Sequence, residues 1–421
     1  MYLSFMVTSS RLFQVRGYPS WLVSAFSERY AGAISTFAIT LLAFDLTNSA
    51  TAAGTLGATR MLIAYGLAIF GGVVVDAYDR RRLMIIRASL SAAIWTTVAF
   101  LAVTDVLTFP WFFVLVCLST VVAGFLGSAS ESALRSLVTK QDYVRARSIN
   151  EARDASAQVL GSPISGALYG VQQAFPFIVS SVGQVIALLS AFHLPPLAPT
   201  SRTDTTDSTL FKRVPFLTNA LAGFRFIRRT PAMVPLTLNS VFSNLGSFLL
   251  MTTVTLLLLS RSVSAETIGL IATTEAVGIL LGSTLASKIS TQFSTGSLAF
   301  VANIWSFIAL LPVLIWQSPV LIGACYFLWA FIQPANNAAL GGYRFSVVSV
   351  SMQGRVSAAD TLLVGLPVAL SSFVAGQLVD HGLALLSFVV SMGLLILAIL
   401  VVLYPSVRKI PQPHLWPVSE E

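Results

Sequence analysis

Apolar residues in this chain come in long unbroken runs separated by short polar stretches. The runs fall at residues 21–44, 52–75, 83–104, 108–130, 150–171, 175–193, 232–259, 265–287, 297–316, 319–340, 356–379 and 383–404. Each approaches or exceeds the roughly 20 residues an α-helix needs to cross a hydrocarbon core of about 30 Å. None alternates with period two, which argues against the strands of a β-barrel. A helix satisfies its backbone groups within the segment, as hydrocarbon requires. The pattern predicts an all-α membrane protein with twelve transmembrane helices.

The only long polar stretch is 194–231. It opens with Pro195, Pro196 and Pro199 and continues through Ser, Thr and Asp residues to Thr209, the composition of a flexible linker. Leu217, Leu221 and Phe224 then recur at helical spacing ahead of Arg225, Arg228 and Arg229. This suggests a short interfacial helix with its cations toward lipid headgroups; an irregular basic loop is the other reading. The chain thus divides into a six-helix half (1–193), a cytoplasmic linker (194–231), a second six-helix half (232–404) and a cytoplasmic tail (405–421).

Charge settles the orientation. Every Lys and Arg lies on the side of the N-terminus, except Arg261 on the opposite side and Arg29 and Arg60 within spans. By the positive-inside rule that side is cytoplasmic, and so are both termini. Arg11 and Arg16 precede an apolar run with no small-residue cleavage site after it, so the first span is read as uncleaved. The composition agrees: of 421 residues 55% are hydrophobic and 10% charged, where a soluble domain is about 25% charged. Mean hydropathy is +0.81. A soluble enzyme and a disordered chain are excluded. The net charge of +8 does not signal a nucleic-acid partner, because the cations sit between apolar runs. Cys117 and Cys325 lie inside such runs and behave as small hydrophobes.

The stretch after the second run reads Gly71-Gly72-Val73-Val74-Val75-Asp76-Ala77-Tyr78-Asp79-Arg80-Arg81-Arg82. Asp76 would end the second span, where partner cations can gate motion between helices; the arginines also anchor topology. The segment is similar to the loop between the second and third helices of the major facilitator superfamily, G-x-x-x-D-R-x-x-R-R. Gly72 matches the close-packing glycine, Asp76 the acid, and Arg80 and Arg81 the basic pair, while Ala77 replaces the first arginine. Further on, Ser132-Ala133-Leu134-Arg135 is followed by Asn150-Glu151-Ala152-Arg153 and by Gly161-Ser162-Pro163-Ile164-Ser165-Gly166. This looks like the drug:proton antiporter group that includes macrolide-efflux and enterobactin-exporter proteins. Of the Gly-Pro-x-x-Gly-Gly motif of its fifth helix, Pro163 and Gly166 are kept behind Gly161, while Ser162 stands for the first glycine and Ser165 for another. Ala222-Gly223-Phe224-Arg225 and Gly354-Arg355-Val356 extend the resemblance into the second half.

The resemblance implies the major facilitator fold, two six-helix halves whose first, fourth, seventh and tenth spans line a cavity. It implies a monomer in a bacterial plasma (inner) membrane, with protons, a small-molecule substrate and membrane lipids as partners. The activity it implies is export of amphipathic small molecules, such as drugs or siderophore-like compounds, by proton antiport with alternating access. Uptake or facilitated diffusion of a nutrient, and a transport-inactive sensor or scaffold, are the alternatives.

Charges inside spans are costly and mark functional candidates. Glu28 and Arg29 lie about 11 Å into the first span, Glu131 near the end of the fourth, Glu275 near the middle of the eighth and Asp360 early in the eleventh. Glu28, Glu275 and Asp360 are the proton-coupling candidates. Glu28 is otherwise a structural partner of Arg29 or a neighbouring arginine, Glu275 a hydrogen-bonded acid, and Asp360 a solvated or capping group. Arg29, Ser35, Glu131, Asn239, Asn244, Gln333, Asn336 and Asn337 are the candidates for a substrate cavity. His193, His381 and His414 form no cluster, and no metal-ligand spacing, phosphate-cradling loop or nucleophile elbow occurs. No catalytic residue, metal or cofactor is therefore expected.

Overall fold

The structure is a computed structural model that describes residues 12–197 and 216–416. Within them the side chains at 68–73, 76, 140–141, 216–221 and 350–351 are not described. Among the described residues all regular structure is helical. The helices are α1 (Tyr18–Asp45), α2 (Ala50–Ala77), α3 (Arg80–Val103), α4 (Phe109–Leu126), α5 (Ala129–Leu137), α6 (Lys140–Val171), α7 (Phe175–Phe192), α8 (Phe216–Arg229), α9 (Met233–Ser260), α10 (Ala265–Gln292), α11 (Thr295–Leu310), α12 (Pro319–Val347), α13 (Val350–Asp380), α14 (Ala384–Val402) and the short α15 (Pro405–Arg408).

Among the described residues, eight segments are long and apolar enough to cross a membrane: α3, α4 through α5, α7, α9, α10, α11 with its 3-10 extension to Leu314, most of α13, and α14. The other four expected spans are α1, α2, α6 and α12, of 28, 28, 32 and 29 residues. At 1.5 Å per residue they are about 42–48 Å long, so each is long enough to cross. The exposed surfaces of the apolar helices suit lipid. Leu385, Val389, Ile396 and Leu400 of α14 and Val182, Ile186 and Leu189 of α7 all face outward.

Contacts gather the chain into two compact units, Met1–Thr47 with Ile63–Thr205 and Asn48–Leu62 with Thr206–Glu421. In unit 1, α1 packs between α6 and α7 through glycines. A Cβ on Gly161 of α6 would lie 2.7 Å from that of Ala33, and one on Gly183 of α7 would lie 2.9 Å from that of Ala31. Small residues let helix backbones approach closely in a membrane. Ser165 and Ser180 then donate to the Ile34 and Ala31 carbonyls of α1 at 2.7 and 2.9 Å. Unit 2 repeats the device between α10 and α12, where Gly278 and Gly282 abut the Phe327 and Phe331 carbonyls.

Two elements differ from the apolar runs. α6 begins at Lys140, ten residues before the expected span, because Thr139 caps it by accepting from Asp142 N; this turn is polar and invisible to hydropathy. The tail also packs on the helices up to the described Trp416. The Ile410 and Pro411 carbonyls accept from Gly296 N and Thr295 N, both at 3.2 Å, and satisfy the first donors of α11. In the linker, Ile227 of α8 is buried with Met233, Val348 and Val356; residues 198–215 lie outside the described residues.

Candidate functional site

In unit 1, Glu28 of α1 forms an ion pair with Arg87 of α3, both mostly buried. Arg87 also donates through Nη1 to the Gly127 carbonyl at 3.1 Å, just past α4. One neutralised pair thus holds three helices. The sequence leaves Glu28 open between a proton site and an arginine partner; the structure supplies Arg87 rather than Arg29. Arg29 turns to α6 instead and lies 3.0 Å from Asp154, half exposed. Ser35 is 2% exposed. Its hydroxyl returns to the Ala31 and Gly32 carbonyls of its own helix at 2.9 and 3.2 Å.

Glu131 lies on α5 and accepts from Arg147 and from Tyr143 Oη, the latter at 3.2 Å. Arg147, in the polar extension of α6, also meets Glu151 at 2.8 Å. The hydrogen bond that Arg147 donates to Glu131 holds this guanidinium above its ordinary range. Nearby, Arg80 is buried and donates to Ser136 Oγ at 3.3 Å. Arg81 donates to the Phe192 carbonyl at 2.7 Å. Asp79 caps α3 by accepting from Arg82 N at 2.9 Å and also accepts from Leu197 N at 3.0 Å. The ends of α3, α5 and α7 are laced together here. Gly72 and Asp76 lie in α2, but their side chains are outside the described residues. Gly161 and Gly166 of α6 are buried, with Pro163 inside the helix between them.

In unit 2, Asp360 of α13 accepts from Arg344 of α12 at 2.6 Å and from Thr237 Oγ1 of α9 at 2.9 Å. Asp360 is neither solvated nor a simple cap: it belongs to a buried network. Asn239 is buried and donates to the Ala398 carbonyl at 3.1 Å. Asn244 is exposed and donates to the Ser240 carbonyl at 2.8 Å. Gln333 donates to Ser306 Oγ at 3.2 Å. Asn336 is buried with Oδ1 unpartnered, and Asn337 is exposed.

Glu275 of α10 stands apart. Among the described residues it makes no ion pair or hydrogen bond, unlike Glu28 and Asp360. It lies three and seven residues before Gly278 and Gly282, hence on the same helix face, the one that meets α12. A groove of about 570 Å³ runs along this helix pair, between Leu270, Thr273 and Val277 of α10 and Gly323, Phe327 and Leu328 of α12. Protonation of Glu275 would strand no cation among the described residues. At Glu28 or Asp360 the same event would leave an arginine uncompensated, at a cost of about 3–5 kcal/mol.

Sequence reasoning missed Arg87, Asp154 and Arg344 as partners. The available signal was their lying near span ends rather than in loops. It also missed Asp45, which accepts from Tyr169 Oη at 2.6 Å and Gln173 Nε2 at 3.1 Å, and Asp380.

Long apolar helices with charges paired inside each unit define a multi-pass helical membrane protein. The chain belongs to the Major Facilitator Superfamily, whose family profile matches residues 21–243, and it is a transporter of that superfamily. No curated protein matches the sequence significantly. Among solved structures it is similar to the nucleoside transporter NupG, with 11% identity, TM-score 0.70, and 91% of this chain and 98% of that chain covered. A bacterial homologue of the human lysosomal transporter Spinster matches with 14% identity, TM-score 0.68 and 94% and 98% coverage. A bacterial homologue of the iron transporter ferroportin matches with 14% identity, TM-score 0.68 and 94% and 99% coverage. At these identities the likeness is one of fold.

Proposed function

We propose that this transporter exports amphipathic small molecules in exchange for protons, by alternating access. It works as a monomer in a bacterial inner membrane with both termini in the cytoplasm. The order of the loop and fifth-helix motifs supports export. The observation that carries proton exchange is Glu275: it is the coupling candidate without a cationic partner among the described residues. Glu28 and Asp360 then serve as structural pairs, and Asp76 with Arg80 and Arg81 form the gating loop. Alternating access moves the binding site between the two sides of the membrane as the halves rearrange around it.

The test is efflux of a panel of lipophilic dyes and drugs from proteoliposomes under an imposed pH step. Glu275→Gln is expected to abolish gradient-driven efflux while substrate binding persists. Efflux that survives both Glu275→Gln and collapse of the pH gradient would refute antiport. Counterflow of a nutrient without any gradient would replace export with facilitated diffusion.

A further inference from the structure

A second groove, in unit 1, has no part in this scheme. It has a volume of about 350 Å³ and lies between Pro19, Ser20 and Val23 of α1 and Leu189, Ser190 and His193 at the end of α7. A close approach builds it. Gly17, with φ 92°, starts α1 against the ring of Pro195, where a Cβ would come within 2.5 Å of Cδ. No side chain but hydrogen fits that left-handed, crowded position.

The groove has two chemistries. Its wall is apolar and outward-facing: Val23 and Leu189 are exposed, and Phe192 beside them is half exposed. Its rim is polar. The Ser20 and Ser190 hydroxyls have no partner among the described residues. His193 bonds through Nδ1 to the Leu189 carbonyl at 2.8 Å and leaves Nε2 open. Arg81 is fixed next to the rim by its bond to the Phe192 carbonyl, and its buried Nε is unpartnered. Arg16 and Arg82 are exposed. Against the three cations Arg16, Arg81 and Arg82 stands the adjacent acid Asp79, whose oxygens accept from backbone donors, so the sum of these charges is positive.

We propose that this groove binds one anionic phospholipid of the cytoplasmic leaflet. An acyl chain lies on Val23 and Leu189, and the phosphate meets Ser20, Ser190 and His193 in the field of Arg81. A free anion has no use for the apolar wall, and a zwitterionic lipid gains nothing from the surplus of cations. Basic pockets at the cytoplasmic ends of transmembrane helices attract anionic headgroups for this reason. The inference does not depend on the proton-exchange scheme.

The experiment is native mass spectrometry of the full-length protein titrated with phosphatidylglycerol or phosphatidylcholine. One phosphatidylglycerol is expected to bind in preference to phosphatidylcholine. Ser190→Phe, which fills the groove, and His193→Glu, which reverses the rim at an exposed helix end, should each weaken it by about fivefold. Leu386→Phe, on the outward face of α14, should not. Equal binding of the two lipids overturns the proposal, as does wild-type affinity in His193→Glu should Ser190→Phe fail to fold. Displacement of the lipid by inorganic phosphate also overturns it, because the site would then be one for a free anion.

Discussion

Asp360 Oδ2 lies 2.6 Å from Arg344 Nη1, and this pair ties α13 to α12. Arg344 reaches further with Nη2, to Ser240 Oγ at 2.9 Å and the Leu236 carbonyl at 3.0 Å of α9, so three helices share one guanidinium. Unit 1 has a pair at the corresponding helix ends with the signs exchanged: Glu131 on α5 and Arg147 on α6. Asp360→Asn or Arg344→Gln should each destabilise the protein by about 3 kcal/mol, because each strands a buried partner. The double variant should lose less than the sum of the two. Thermal unfolding in detergent reads both outcomes, and strict additivity would deny the pair.

Glu28 and Glu275 should separate in the same assay. Glu28→Gln leaves Arg87 with only the Gly127 carbonyl, so a loss of about 3 kcal/mol is expected. Glu275→Gln removes no partner, and its melting should stay within about 0.5 kcal/mol of wild type. A stable Glu28→Gln protein that has lost its pH-gradient response would reverse the two assignments.

Within unit 2, Asp380 ends α13 and caps the start of α2. Its oxygens accept from Ser49 Oγ at 2.7 Å and from Ala50 N and Thr51 N, both at 2.8 Å. One carboxylate satisfies two of the helix's free donors and sits at the positive end of its dipole. Asp380→Ala should cost about 1–2 kcal/mol. Amide hydrogen exchange at residues 50–55 should accelerate, while that of α14 stays unchanged.

The tail should prove structural. Trp416 donates to Thr295 Oγ1 at 3.1 Å, and its ring lies where a Cβ on Gly342 would come within 2.7 Å. Trp416→Ala should cost about 2 kcal/mol from lost apolar contact. Truncation after Arg408 should also expose Thr295 N and Gly296 N to rapid exchange. Unchanged exchange there would show that the strap does not hold α11.

Much of the helical layout is legible from hydropathy, since a lipid-exposed helix such as α14 must be apolar over most of its surface. The polar extension of α6 and the tail carry no such signal: capping by Thr139 and docking of Trp416 are made by residues that read as loop. The candidate carboxylates are legible for the converse reason, because an acid inside an apolar run stands out. Their partners are not. Arg87 and Arg344 look like topological anchors until packing turns them inward.

By itself the amino-acid order determined which segments enter the membrane and which acids enter with them, because transfer of a side chain into hydrocarbon is a local, per-residue cost. Tertiary structure decided that Glu28 and Asp360 are neutralised and Glu275 is not. Pairing depends on the distance between helices remote in sequence, and no local per-residue cost specifies that distance.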